Sequence, residues 1–307
     1  MSTKLNSISA EWPALPYAGW ESTLDTLHMW TQIVGKTRMA LEPRQNHWWN
    51  VTLYVTPLGL TTSPMPYRGQ TFVVDFDFVA HRLVMQTSDG RQHMMRLGPC
   101  SVAAFYTEYM SALKTLGIEV KIDRKPAEFD DTTPHDVDDH HASYDRLAVE
   151  RFQTILVHSD RILKKFRSRF LGKCSPVHFF WGSFDLAVTR FTGELAPENP
   201  QADSMTREAY SHEVSSCGFW PGNRQFPHAA FYAYAAPAPD GFAKQPVRPS
   251  AAGWDTTLGE FILKYDDVRS LPDPEAAILD FCQSTYEAAA NAGHWNRQAL
   301  ERRSSSK

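Results

Sequence analysis

The chain has 307 residues, 42% hydrophobic and 21% charged, with a formal net charge of −4, enough apolar residues to fill one large core or two modest ones. A pI near 6.3 gives no broad basic field, which argues against nucleic acid or an anionic membrane as partner and points to small molecules or proteins. The four cysteines, Cys100, Cys174, Cys217 and Cys282, form no Cys-x-x-Cys pair, which argues against a disulfide framework or a thiolate zinc site and fits a reducing compartment.

MSTKLNSISAEWPALPYAGW, at the N-terminus, has no continuous apolar segment of signal-peptide type, and no apolar run in the chain reaches spanning length. The expectation is a cytoplasmic protein without a membrane partner. TQIVGKTRMAL (31–41) has the spacing of an amphipathic helix with Pro43 beyond it, and QNHWWNVTLYVTPLGLTT (45–62) reads as a His-bearing strand. FVVDFDFVAHRLVMQTSDGRQHMMRL reads as three strands turning at Ser88-Asp89-Gly90, followed by the helix SVAAFYTEYMSALKTLG. From 123 to 145, acidic residues, prolines and small polar residues replace hydrophobic periodicity, and HDVDDHH there reads as a solvated run rather than a metal site.

The second half repeats the order. DRILKKFRSRF (160–170) is an amphipathic helix stopping near Gly172, SPVHFFWGSFDLAVTRFTG (175–193) is a second His-bearing strand, and AAFYAYA and GEFILKY supply further strands. DPEAAILDFCQSTYEAAANAG closes the half as a helix, capped by Asp273 with Pro274 in its first turn. Matching His47 to His178 sets Leu53 against Phe184, Val55 against Leu186 and Thr61 against Thr192. The expectation is an α+β fold made by tandem duplication of a helix, antiparallel sheet and helix unit, packed as a pseudo-two-fold pair with a binding cleft at the seam. The boundaries are an N-terminal segment 1–21, a first repeat 22–122, an acidic linker 123–146, a second repeat 147–293 with an insertion at 194–228, and a frayed tail 294–307.

HWWNVTLYVTPLGLTTSP, GKCSPVHFFWGSFDLAVTRF and EAYSHEVSSCGFWPG together resemble a bacterial family, domain of unknown function 5996, over roughly 11–300. The resemblance implies no activity and no catalytic residues, so the site is argued from residue chemistry.

Alternation along 178–190 puts His178, Phe180, Gly182, Phe184, Leu186, Val188 and Arg190 on one face and Trp181, Ser183 and Asp185 on the other; in the first copy Trp48, Asn50 and Tyr54 share the polar face. If those faces meet at the seam, Trp48, Asn50, Tyr54, Trp181, Ser183 and Asp185 line the cleft; if they face solvent they carry no site. The insertion adds Tyr210, Ser211, His212, Glu213 and Trp220, expected to close over a ligand. A catalytic version uses His212 or His178 as general acid/base, Glu213 or Asp185 to orient it, and Arg190 or Arg207 to hold an anionic group. His47 and His178 also read as paired structural histidines. Adjacent His212 and Glu213 cannot chelate one ion unaided, no compact ligand motif selects a metal, and no cofactor fingerprint occurs. Cys174 beside Lys173 reads as a packed thiol. Two readings stay open: a metabolite-binding protein or enzyme, and a non-catalytic interaction or structural protein with a Trp-rich surface.

Overall fold

In a computed structural model that describes residues 11–302, helix α1 (Glu21–Leu41) is buried on nearly every side from Thr23 to Arg38. It is a central helix, which explains why its apolar stripe is interrupted by polar residues. Those residues are hydrogen-bonded: Gln32 donates to Ala127 O and accepts from Ala127 N, both at 2.8 Å, and the Tyr109 hydroxyl donates to Thr37 Oγ1 at 3.0 Å.

The expected strand around His47 is not one. Asn46–Val51 forms a 3-10 segment in which His47 and Trp48 have φ of 57° and 58°, a left-handed conformation that bulky residues hold only when their surroundings impose it. Pairing begins at β1 (Tyr54–Val55) and continues through β2 (Gly59–Thr61), β3 (Met65–Tyr67), β4 (Gln70–Asp77), β5 (Arg82–Thr87) and β6 (Gln92–Arg96). This antiparallel sheet has the order β1-β2-β4-β5-β6, with β3 on β4. Helix α2 (Val102–Thr115) follows, its first turn capped by Ser101, which accepts from Ala104 N.

The second half runs α3 (Arg146–Arg167), β7 (His178–Phe180), β8 (Asp185–Leu195), α4 (Ser204–Ala209), β9 (His212–Trp220), β10 (Ala230–Ala236), β11 (Gly253–Asp255), β12 (Glu260–Lys264), α5 (Tyr265–Arg269), α6 (Pro274–Ala292) and α7 (Arg297–Leu300). Its antiparallel sheet has the order β11-β12-β10-β9-β8-β7. The fold is α+β. The two sheets meet where Leu53 and Phe179 exchange both backbone hydrogen bonds at 2.9 Å, and one apolar core runs through both halves, from Trp30 and Phe76 to Phe152, Phe219 and Phe281.

Four sequence expectations change. Residues 178–190 are a hairpin, not one strand: the chain turns at 181–184 and Phe180 pairs with Asp185, so the side-chain alternation is reset and His178 shares a face with Ala187. His178 therefore opens a strand that His47 does not reach, and the register aligning the two histidines does not describe equivalent positions. The segment 194–228 is not an added loop, because β9 within it is an interior strand paired from Val214 to Trp220 with β10; the part outside the sheet between β8 and β9 is 196–211, which carries α4. Residues 123–145 carry no helix or strand and Arg146 already opens α3, yet 123–146 is not a solvated linker: His135 and Asp138 are sealed, and Val102 N and Ala103 N donate to His141 O and Asp138 O. The tail packs as far as Arg302, with Leu171 N donating to Leu300 O at 2.7 Å; residues 1–10 and 303–307 lie outside the described residues.

Candidate functional site

On one face of the second sheet Leu186, Val188, Cys217, Phe219 and Phe231 pack in the core beneath α3 and α6. The other face, bearing Asp185 and Thr189 from β8, Ser216 from β9, Tyr232 and Tyr234 from β10 and Glu260 from β12, looks into a cleft. The opposite wall is α1 together with the strap at 121–130 and the strained Trp48. Two chambers of about 450 Å³ and about 710 Å³ share Glu128, Ser183, Asp185, Tyr210, Tyr232 and Tyr234, a size range suited to a small-molecule ligand.

Two glycines make room for the polar groups. A Cβ at Gly182 would stand 2.7 Å from the Glu128 carboxylate, and one at Gly218 would stand 2.6 Å from the Tyr232 hydroxyl and 2.2 Å from Leu186 O. Glu128 itself has φ of 50°, so its backbone is held in a conformation that costs about 1–3 kcal/mol. Asp185 is only 7% exposed; it accepts from Ser183 Oγ at 2.6 Å and from the Tyr232 hydroxyl in a short hydrogen bond. The Tyr210 and Tyr234 hydroxyls bond at 2.9 Å, and Thr189 Oγ1 and Ser216 Oγ at 3.0 Å.

Burial raises the pKa of Asp185 against the opposing hydrogen bonds from Ser183 and Tyr232. Burial and then the Asp185 charge raise Glu128, and the same two causes push Glu260 up to about 7. Among the described residues no Lys or Arg forms an ion pair with any of the three. Aromatic walls from Trp48, Trp181, Tyr210 and Trp220 surround these carboxyl groups.

Of the residues expected from sequence, Trp48, Trp181, Ser183, Asp185, Tyr210 and Trp220 line the cleft. Asn50 does not: it is buried, accepting from Gln45 N through its side chain and from Arg38 Nε through its carbonyl. Tyr54 instead packs against His178, with ring centroids 5.6 Å apart, and under the Arg38 guanidinium. Arg190 points away, sealed among Phe166, Phe170 and Tyr286. His178 is walled off by Trp49, Tyr54 and Phe180, and burial lowers its pKa to about 3. His212 and Glu213 open β9 outside both chambers; the His212 ring meets Ser211 Oγ and stands 5.7 Å from that of His47. Burial raises the Cys174 thiol to about 11, the opposite of an activated nucleophile. Among the described residues no three His, Cys, Asp or Glu side chains are placed to hold a metal ion.

Sequence reasoning missed Glu128, Tyr232, Tyr234 and Glu260. The two tyrosines had a signal in AAFYAYA, where spacing of two puts them on one face; Glu128 was hidden in an acidic run.

His47 holds the segment 196–211 against the first half. Its Nδ1–H donates to Glu208 O and Ala209 O, both at 3.1 Å, while Nε2 receives the Lys173 ammonium and Arg44 pairs with Glu208. His47→Ala is expected to cost about 1–3 kcal/mol and to speed hydrogen exchange in 204–211. Unchanged exchange there would show that the contact is not a latch.

No helix among the described residues is long and apolar enough to cross a membrane. No curated protein and no solved structure matches the chain. The model of the family of unknown function DUF5996 matches residues 12–302, nearly the whole described chain with this cleft inside it, and the chain belongs to that family.

Proposed function

We propose that the chain binds a small molecule in the two-chambered cleft, and that the ligand presents a positively charged organic group, a protonated amine or a guanidinium, to Asp185, Glu128 and Glu260. The observation that carries this reading is the convergence of three carboxylates without an ion-pairing cation on an aromatic-walled cavity. Asp185 is buried and Glu260 half-buried, with Glu128 exposed beside them; a buried carboxylate without a cation is poorly compensated, a cation arriving with the ligand offsets that, and Trp and Tyr faces favour the same kind of ligand. A catalytic version assigns proton transfer to Glu260, whose pKa near 7 suits it, rather than to His212 or His178. The rival surface-docking reading has weaker support, since none of the nine tryptophans is exposed. Four free thiols support a cytoplasmic setting, and the shared order of helix, hairpin, meander and helix supports a tandem duplication.

Native mass spectrometry of freshly purified protein is expected to retain a cationic metabolite, and octylamine is the simplest probe. Asp185→Asn is expected to weaken octylamine binding by about 30-fold, the scale of a charge-assisted hydrogen bond, with the fold retained. A cation favours ionised Glu260, so affinity rises with pH through about 7 and levels off above it. No retained ligand together with no octylamine binding would sink the reading.

A further inference from the structure

The walls of the cleft differ in charge along α1. Asp25 and His28 line the smaller chamber, whereas Lys36, Met39 and Ala40 line the larger. His28 and Lys36, eight positions apart, are separated by about 12 Å of helix; at the near end Arg224 pairs with Asp25 at 2.9 Å, whereas at the far end Lys36 has no such partner. Phe180 and Trp181 give the larger chamber apolar walls, and the Trp181 ring packs on α1 at Gly35.

Lys36 is 6% exposed. Its Nζ donates to Lys125 O, and the nearest carboxylate, Asp123, is 4.0 Å away and itself 78% exposed. An ammonium has three donors, and one backbone carbonyl with one distant, solvated carboxylate satisfies a buried cation poorly. A lysine serving only to pin the strap would gain more from a direct, enclosed partner. Exposed Lys121 and Lys125 line the same chamber with Lys36, where Asp123, Glu128 and Asp185 supply an equal number of carboxylates.

We propose that the larger chamber reads a second, anionic group on the ligand, held by Lys36, so that the ligand class is an elongated zwitterion: a cationic group at Asp185, an apolar middle, and a carboxylate or phosphate at Lys36. This rests on the reading of the cleft as a small-molecule site. The Lys36 donors left over by Lys125 O bind the anion, and the ligand completes the charge balance at both ends of the cavity.

Three matched probes test it by calorimetry on the full chain at pH 8: 8-aminooctanoate, octylamine, which lacks the acid, and octanoate, which lacks the amine. The expected order is 8-aminooctanoate at least ten-fold tighter than octylamine, with octanoate weakest. Lys36→Met is expected to abolish the ten-fold preference of 8-aminooctanoate over octylamine, and Lys36→Arg to restore most of it. A merely structural Lys36 would alter stability without changing the ratio. Equal affinities for 8-aminooctanoate and octylamine in the parent overturn this inference and leave the cation site standing; that ratio decides the matter even if Lys36→Met does not fold. Failure of octylamine and 8-aminooctanoate alike overturns the cleft reading itself, and this inference with it.

Discussion

Replacing His178 by Phe and His135 by Leu together is expected to stabilise the protein by about 4 kcal/mol more at pH 5 than at pH 8. Both imidazoles are sealed, at 1% and 0% exposure, and none of their four ring nitrogens has a hydrogen-bond partner. Burial, with Arg38 and Arg167 near one and Lys36 near the other, lowers their pKa values to about 3 and about 4. The sign follows from linkage: below the ordinary value of 6.5 the unfolded chain takes up protons that the folded chain refuses. Folding stability therefore falls by up to about 1.4 kcal/mol per pH unit per histidine until the folded pKa is reached. At pH 5 that amounts to about 2 kcal/mol each, out of a total stability of about 5–15 kcal/mol. Glu260 acts in the opposite direction over part of the range, because its raised pKa favours the folded state as pH falls through 7; the difference between parent and double variant cancels that contribution. Denaturant unfolding at pH 8, 6.5, 5 and 4.5 measures it. A difference independent of pH would mean that these rings take up protons in the folded state.

Elements bounded by strong local signals were legible in the sequence. The meander of β4, β5 and β6 turns at Ser88–Gly90, α2 starts at its Ser101 cap, and α6 opens at Asp273 and Pro274. Each depends on contacts within a few residues, which sequence spacing reports directly. What failed depends on pairing between distant segments. Periodicity could not see that Gly182 and Ser183 end one strand and begin a hairpin, because His178 to Arg190 alternates plausibly as either. That one reset puts His178 and Arg190 on different faces. Asp185 and Ser183 were nonetheless found, since polar residues inside an otherwise apolar hairpin are conspicuous. Glu128 could not be found in the same way. It stands just before Asp130 and Asp131 in a run that looks solvated, and its role comes from the strap folding over Gly182, a contact across 54 positions that only the folded chain brings about.

The same reset gives Arg190 a different test from the one its charge suggests. As an anion-holding residue it would affect ligand binding; as placed, its guanidinium lies 3.5 Å from the Phe166 ring centroid, 4.3 Å from that of Tyr286 and 4.9 Å from that of Phe170, and donates to Phe166 O. Among the described residues it has no carboxylate partner, its Nε is unpartnered, and burial lowers its pKa. The aromatic cage stabilises the cation through the ring faces, while the aliphatic stem fills the space between β8 and α6. Arg190→Ala removes both and leaves a cavity bounded by three rings, so a loss of about 3–5 kcal/mol is expected, on the scale of emptying a large core position. Arg190→Met keeps the volume and removes the buried charge at the expense of one hydrogen bond to Phe166 O, and is expected to stay within about 1–2 kcal/mol of the parent. Octylamine affinity per folded molecule should be unchanged in Arg190→Met, because the side chain and the cleft lie on opposite faces of the sheet. Loss of octylamine binding by a stably folded Arg190→Met variant would return the arginine to the ligand and show that the two faces communicate.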